Sequence, residues 1–201
     1  MNRRSQAERR DQSEQALLIA AAEVIERDGV AAATFEAVGK QAGYSRALAS
    51  VRFGSKEGMV RAVIEFLAAR LGNRIAARIE GMASSLDRIL AYADATLSEV
   101  EQDRLMRAYF VMMAGAVGHR SDTQASFLAV HDDVRETLRL LIAEGQATGE
   151  IDPALDANIV ALSIGSLQLG IAVELLLDPD MDMSAMRRTV NAAILRILKA
   201  E

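Results

Sequence analysis

The chain contains no cysteine and no tryptophan, only two prolines and two histidines, and aromatic residues make up 4% of its 201 positions. Without cysteine there can be no disulfide, thiolate zinc site or thiol nucleophile, and a reducing compartment is compatible with that absence. His119 and His131 are the only imidazoles, and the sequence has no phosphate-cradling glycine loop, no His-Glu-x-x-His pair and no nucleophile elbow. No catalytic residue, metal site or cofactor is therefore expected. The first residues, Met1 to Asp11, are polar and carry Arg3, Arg4, Arg9 and Arg10 without the apolar core of a secretion signal. No charge-free apolar run reads as long enough to span a bilayer. The expectation is a soluble, cytoplasmic protein with no membrane partner.

Hydrophobic residues make up 51% of the chain, enough for a substantial core, and alanine and leucine dominate them. With breaks only at Pro153 and Pro179, nearly everything reads as helix and almost nothing as strand, so the fold class expected is all-α. Net charge is -5. Up to residue 60 there are nine basic and eight acidic side chains, a net of +1, which leaves -6 for the rest. The first segment can make local phosphate contacts, and the second is a poor nucleic-acid surface.

A first helix is expected from about Ser13 to Arg27, with Leu17, Leu18, Ala21, Val24 and Ile25 on one face, Asp11 or Ser13 as caps and Gly29 past its end. A short helix from Phe35 to Ala42 follows, capped by Thr34 and ended by Gly43. Ser45 caps another that runs to Phe53, and Ser55 caps a longer one from Lys56. Further helical stretches cover Leu86 to Glu101, Leu105 to Val117, Thr123 to Ala147, Pro153 to Leu177 after an Asp152-Pro153 start signal, and Met183 to Leu198. The domains expected are a flexible basic leader over 1–12, a headpiece over 13–56 and a larger helical domain over 57–201.

The most informative stretch runs from Thr34 to Phe53. Two short helices that cross steeply need a small residue where their backbones come closest, a residue that tolerates positive φ at the turn, and apolar residues facing the first helix. Gly39, Gly43 and the set Val38, Ala42, Tyr44, Ala49 and Phe53 stand in those places. The second short helix then lies outside with its N-terminus forward, as insertion into a DNA major groove requires. The candidate DNA contacts are Thr34, Tyr44, Ser45, Arg46, Ala47, Leu48, Ser50, Arg52 and Lys56. Arg46 can reach a guanine edge or a phosphate, and Lys56 sits at a helix N-terminus that favours phosphate. Taken singly, Arg46, Arg52 and Lys56 also read as ordinary solvated charges.

Ala42-Gly43-Tyr44-Ser45-Arg46-Ala47, followed by Phe53-Gly54-Ser55-Lys56-Glu57-Gly58-Met59, resembles the headpiece of the TetR family of transcriptional regulators. The stretch from Glu144 to Asp152, ahead of a long apolar helix, resembles that family too. The resemblance implies a DNA-binding regulator, a repressor released from a palindromic operator by a small-molecule ligand. It also implies that the fourth helix links headpiece to bundle and that the last two long helices form a dimer interface. Where the family has an aromatic residue and a histidine before the phenylalanine, this chain has Val51 and Arg52. Valine cannot donate to phosphate, so either Arg52 compensates or binding is weaker or shifted. A helical ligand-binding or scaffold protein with a degenerate headpiece that does not bind DNA is the alternative.

Independently of the resemblance, Pro153 to Leu177 is apolar around much of its circumference, more than one intramolecular contact would bury, and Gly165 and Gly170 would let helices approach closely. A homodimer would bury that excess, though the central helix of a monomer would too. Two headpieces about one DNA turn apart, roughly 34–36 Å, would read a palindromic operator in double-stranded DNA. The candidate ligand-binding residues are Tyr92, Met106, Tyr109, Phe110, Met113, Phe127, His131 and Gln168, for which core packing is an equally good explanation.

Overall fold

The computed structural model describes residues 6–119 and 122–199, of which His119 is described in its backbone only. Among the described residues there are nine α-helices and no strand, in the order α1 (Gln6–Asp28), α2 (Phe35–Ala42), α3 (Arg46–Phe53), α4 (Lys56–Ile79), α5 (Ser85–Gln102), α6 (Arg104–His119), α7 (Gln124–Thr148), α8 (Ala157–Leu177) and α9 (Met183–Leu198). A single 3-10 turn, Val30–Ala32, joins α1 to α2. The all-α expectation holds.

Two boundaries differ from expectation. The first helix starts at Gln6, so residues 6–12 of the expected leader belong to it, residues 1–5 lie outside the described residues, and neither Asp11 nor Ser13 caps the helix. Gln, Ala, Glu and Arg are good helix formers, and nothing between Gln6 and Ser13 breaks the run. Ser13 is buried, and its hydroxyl donates back to the Arg10 carbonyl at 2.8 Å. The eighth helix starts four residues after Pro153, because the Asp156 side chain accepts from the Asn158 and Ile159 N–H groups and so caps the helix there. Asp152 instead accepts from the Ala154 N–H in the turn before it.

The chain divides into two compact units. The first takes residues up to Ala68 together with Arg104–Phe127, and thus reaches beyond residue 56 and includes the whole of α6 and the start of α7. Its centre is α1, which packs on α2 and α6. Leu17, Ala20, Ala21, Ala22, Val24 and Ile25 are all buried, and three alanines in a row let neighbouring backbones approach from more than one side. Arg104 at the start of α6 pairs with Glu26 near the end of α1 at 3.0 Å.

The second unit takes Ala69–Asp103 and the chain from Leu128 onward. Here α5 packs on α8 and α9, with Ile89, Ala93 and Leu97 buried against a core that includes Ile164, Ile171 and Ile194. Three arginines one turn apart on α4 face acidic partners on α5 or just past its end. Arg70 meets Asp103 at 2.9 Å, Arg74 pairs with Glu99 and Asp103, and Arg78 meets Asp94 at 3.0 Å. Arg187 of α9 reaches the same Asp94 at 3.5 Å and Glu101 at 2.9 Å.

By length and composition α8 is long and apolar enough to cross a membrane, which corrects the reading that no stretch is, although 39% of its most apolar window is buried within the protein. It has a packing face: Val160, Ala161, Ile164, Gln168, Ile171, Ala172 and Leu175 are buried. A core helix of a helical protein passes the same composition test.

Beside the start of α5, the Glu150 carboxylate accepts from the Ser84 hydroxyl at 2.6 Å and the Leu86 N–H at 3.1 Å. The Ser84 bond, and after it the Leu86 bond, hold this carboxyl below the usual carboxylate range. With the folded-state pKa below the unfolded one, the stabilisation is present above the unfolded value and is lost as pH falls through the folded one. Glu150→Gln is expected to melt below the parent at neutral pH, with the gap closing in acid. Thermal melts from about pH 7 to about pH 3 check this; a gap that stays constant across that range would overturn it.

Candidate DNA-binding surface

Local hydrogen bonding sets the geometry of α2 and α3. Thr34 Oγ1 accepts from the Ala37 N–H at 3.1 Å and caps α2, and Ser45 Oγ accepts from the Leu48 N–H at 3.2 Å and caps α3. Ser55 Oγ accepts from the Gly58 N–H at 2.9 Å at the start of α4. Each uses a hydroxyl to satisfy one of the free donors of a first helical turn, as expected from the sequence. Gly43 ends α2 at φ +75°, where its N–H bonds back into the helix and only glycine is unstrained. Gly39 stands where the two helices meet: a Cβ there would lie 3.0 Å from the Ser45 carbonyl carbon and 3.1 Å from the Arg46 nitrogen. Val38 and Ala49 are fully buried, while Tyr44, expected to face α1, is 37% exposed.

The candidate contacts divide into three groups. Arg46 and Ala47 are exposed, Ser50 is half-exposed beside them, and Arg46 has no ion pair or hydrogen-bonding partner among the described residues. Thr34 and Ser45 are exposed with their hydroxyls already serving as caps, and Leu48 is half-buried. Arg52 and Lys56 are tied to the protein. Arg52 is only 13% exposed; it meets Glu14 of α1 at 3.0 Å and the Arg10 carbonyl at 3.5 Å. Lys56 Nζ donates to the Ala31 carbonyl at 2.8 Å and keeps two further donors. Val51 is 85% exposed.

The candidate ligand residues fall in both units. Tyr109, Phe110 and Phe127 come together in the first, with Tyr109 edge-on to Phe110 at 5.4 Å and to Phe127 at 5.1 Å between ring centroids. Met106 is buried in the same unit and Met113 half-buried. Tyr92, His131 and Gln168 belong to the second unit. There the Gln168 amide donates to the Ala93 carbonyl at 3.1 Å and fastens α8 to α5. Burial pushes the Tyr92 hydroxyl up to about 12 and the Tyr109 hydroxyl higher still, so both are neutral groups. Burial lowers the His131 pKa, with Asp132 pulling weakly the other way. An open groove of about 700 Å³ lies elsewhere, lined by residues that include Asn73, Ala76, Glu80, Met82 and Arg88. No periodicity in the sequence marks it, and none of the expected ligand residues lines it.

Comparison with known proteins points one way. Residues 17–63 match the family model of bacterial regulatory proteins of the tetR family, and residues 85–199, more than half the chain, match that of the C-terminal domain of BetI-type transcriptional repressors. No curated protein matches the chain in sequence. Among solved structures, a TetR transcriptional regulator from Chloroflexus aurantiacus J-10-FL is 21% identical, with a TM-score of 0.82 over 96% of this chain and 98% of that one. The fatty acid degradation regulator FadR from Bacillus halodurans is 15% identical, with a TM-score of 0.82 over 100% of both chains. FadR from Bacillus subtilis, in complex with stearoyl-CoA, is 17% identical, with a TM-score of 0.81 over 91% of this chain and 98% of that one.

Proposed function

As a member of the TetR family of transcriptional regulators with a BetI-type C-terminal domain, the chain is a non-enzymatic DNA-binding regulator, and we propose that it is a homodimeric repressor that leaves a palindromic operator when a small molecule binds. The observation that carries the reading is the state of α3: capped at Ser45, locked on α2 through Gly39, and presenting to solvent an Arg46 that has no partner among the described residues. In this reading Thr34, Tyr44, Ser45, Ala47, Leu48, Ser50 and Lys56 border the same groove, and Arg52 positions α3 from behind. The working division is a headpiece over 13–56 and a pairing and effector-binding part over 57–201, acting in the cytoplasm.

Pairing is supported by what α8 leaves uncovered. Ile159, Leu162, Leu167, Val173 and Leu177 are exposed in the single chain, and Gly165 and Gly170 have open space beside them. An apolar stripe of this kind is what a partner helix covers. For the effector, Met106, Tyr109, Phe110, Met113 and Phe127 of the first unit offer adaptable apolar contact, while Tyr92, His131 and Gln168 are separate candidates within the second. A ligand with an apolar body suits them, and stearoyl-CoA in the Bacillus subtilis FadR complex is one such molecule. Release requires that the ligand bind the two forms unequally, and α4, held to α5 by Arg70, Arg74 and Arg78, is the lever.

Selection from a random duplex pool, followed by titration at several salt concentrations, tests the reading. The parent is expected to enrich a palindrome. Arg46→Ala is expected to lose about 5- to 150-fold in affinity per half-site, the equivalent of roughly 1–3 kcal/mol for one good base contact, or about one unit of salt slope per half-site if the contact is to phosphate. No enrichment by a folded, ligand-free dimer would overturn the proposal.

A further inference from the structure

Resting on the reading that α3 enters the major groove, we propose that Val51 is a specificity-determining residue that recognises the 5-methyl group of a thymine in each operator half-site. At about 100° per residue along a helix, Ala47 and Val51 lie one turn apart on the side of α3 opposite the fully buried Ala49. That outward pole carries no hydrogen-bonding side chain. Arg46 and Ser50 flank it on one side, and Arg52 is drawn behind it by Glu14. At 85%, Val51 is also the most exposed large apolar side chain among the described residues.

A soluble protein gains nothing by holding an isopropyl group in water, and the helix would be better formed with alanine at this position. The apolar feature on base edges in the major groove is the thymine methyl; the other groups there are donors and acceptors that valine can only desolvate. Valine suits that partner, because β-branching leaves it essentially one rotamer in a helix, so its two methyl groups are already placed before DNA arrives. The pole thus accepts a methyl and penalises a half-site that puts an unpaired polar edge against it, while Arg46 supplies the polar contact beside it.

The test uses the enriched duplex, with thymines replaced by deoxyuridine one symmetric pair at a time, titrated with the parent and with Val51→Ala. Deoxyuridine removes the methyl and leaves the pairing and groove polar groups as they were. For one symmetric pair the parent is expected to lose about fourfold per half-site, about 15-fold for the two together, as the burial of one methyl would give. Val51→Ala, whose exposed side chain supports nothing in the fold, is expected to bind the thymine and deoxyuridine duplexes alike at that position. An enriched operator in which no thymine responds, or a Val51→Ala protein that keeps the full deoxyuridine penalty, would overturn the assignment of Val51 while leaving DNA binding intact. No enriched duplex at all would overturn the DNA-binding reading and this inference with it.

Discussion

Alanine at Gly39 is expected to cost about 1–3 kcal/mol of stability and to abolish operator binding. Helix propensity alone points the other way, since replacing glycine by alanine inside a helix is worth roughly 0.5–1 kcal/mol in favour of alanine. What reverses the sign is the surroundings of the new methyl group: Ser45 and Arg46 backbone atoms at 3.0 to 3.1 Å, with no flexible side chain to give way. To admit the Cβ, α3 must move off α2, and α3 is the element that has to fit the groove. Gly72 supplies the control. It lies in α4 with nothing within 4 Å of its Cβ position, so Gly72→Ala is expected to be neutral or stabilising. Urea denaturation of the two variants, with binding to the selected duplex, would decide; a Gly39→Ala protein as stable and as active as the parent would show that the two short helices do not depend on that close approach.

Arginine in place of Leu162 is expected to convert the dimer into a folded monomer and to weaken operator binding at least 100-fold, about 2.7 kcal/mol. Leu162 is half-exposed in the single chain, on the side of α8 opposite the residues that pack inward, so the substitution leaves the core untouched. Against a second copy, the same arginine would bury an unpaired charge, which costs several kcal/mol and appears twice in a symmetric interface. A monomer binds one half-site at a time and loses the advantage of linked binding. Light scattering and sedimentation read the oligomeric state, and circular dichroism checks the helix content. A Leu162→Arg protein that stays dimeric, or a parent that is monomeric at micromolar concentration, would remove α8 as the pairing surface.

What could be read from the sequence was what depends on near neighbours. Thr34, Ser45 and Ser55 each bond to an N–H three residues on, and Gly43 terminates its own helix, so each carries its signal in a window of a few residues. Gly39 was legible because a helix pair of this kind needs a small residue there. Gly58 was not: a Cβ on it would collide with the Phe53 carbonyl, yet nothing in Ser-Lys-Glu-Gly-Met announces that the chain folds back so tightly. Arg52 looked free because Glu14, its partner, lies a whole helix-turn-helix earlier in the chain. The same limit applies to the ligand residues. Residue type offers Tyr109, Phe127 and Gln168 alike as ligand or core residues, but only the tertiary structure assigns the first two to one compact unit and Gln168 to the other.

The bond between Arg52 and Glu14 also bears on how the protein finds its site. Attraction to DNA of arbitrary sequence comes almost entirely from counterions displaced where cations meet phosphates. With Arg52 paired to Glu14, each headpiece brings one cation fewer to phosphate than its nine basic residues up to residue 60 would suggest. Withdrawing that cation from each headpiece is expected to shorten stays on unrelated sequence, so that the search for the operator runs through more and briefer visits.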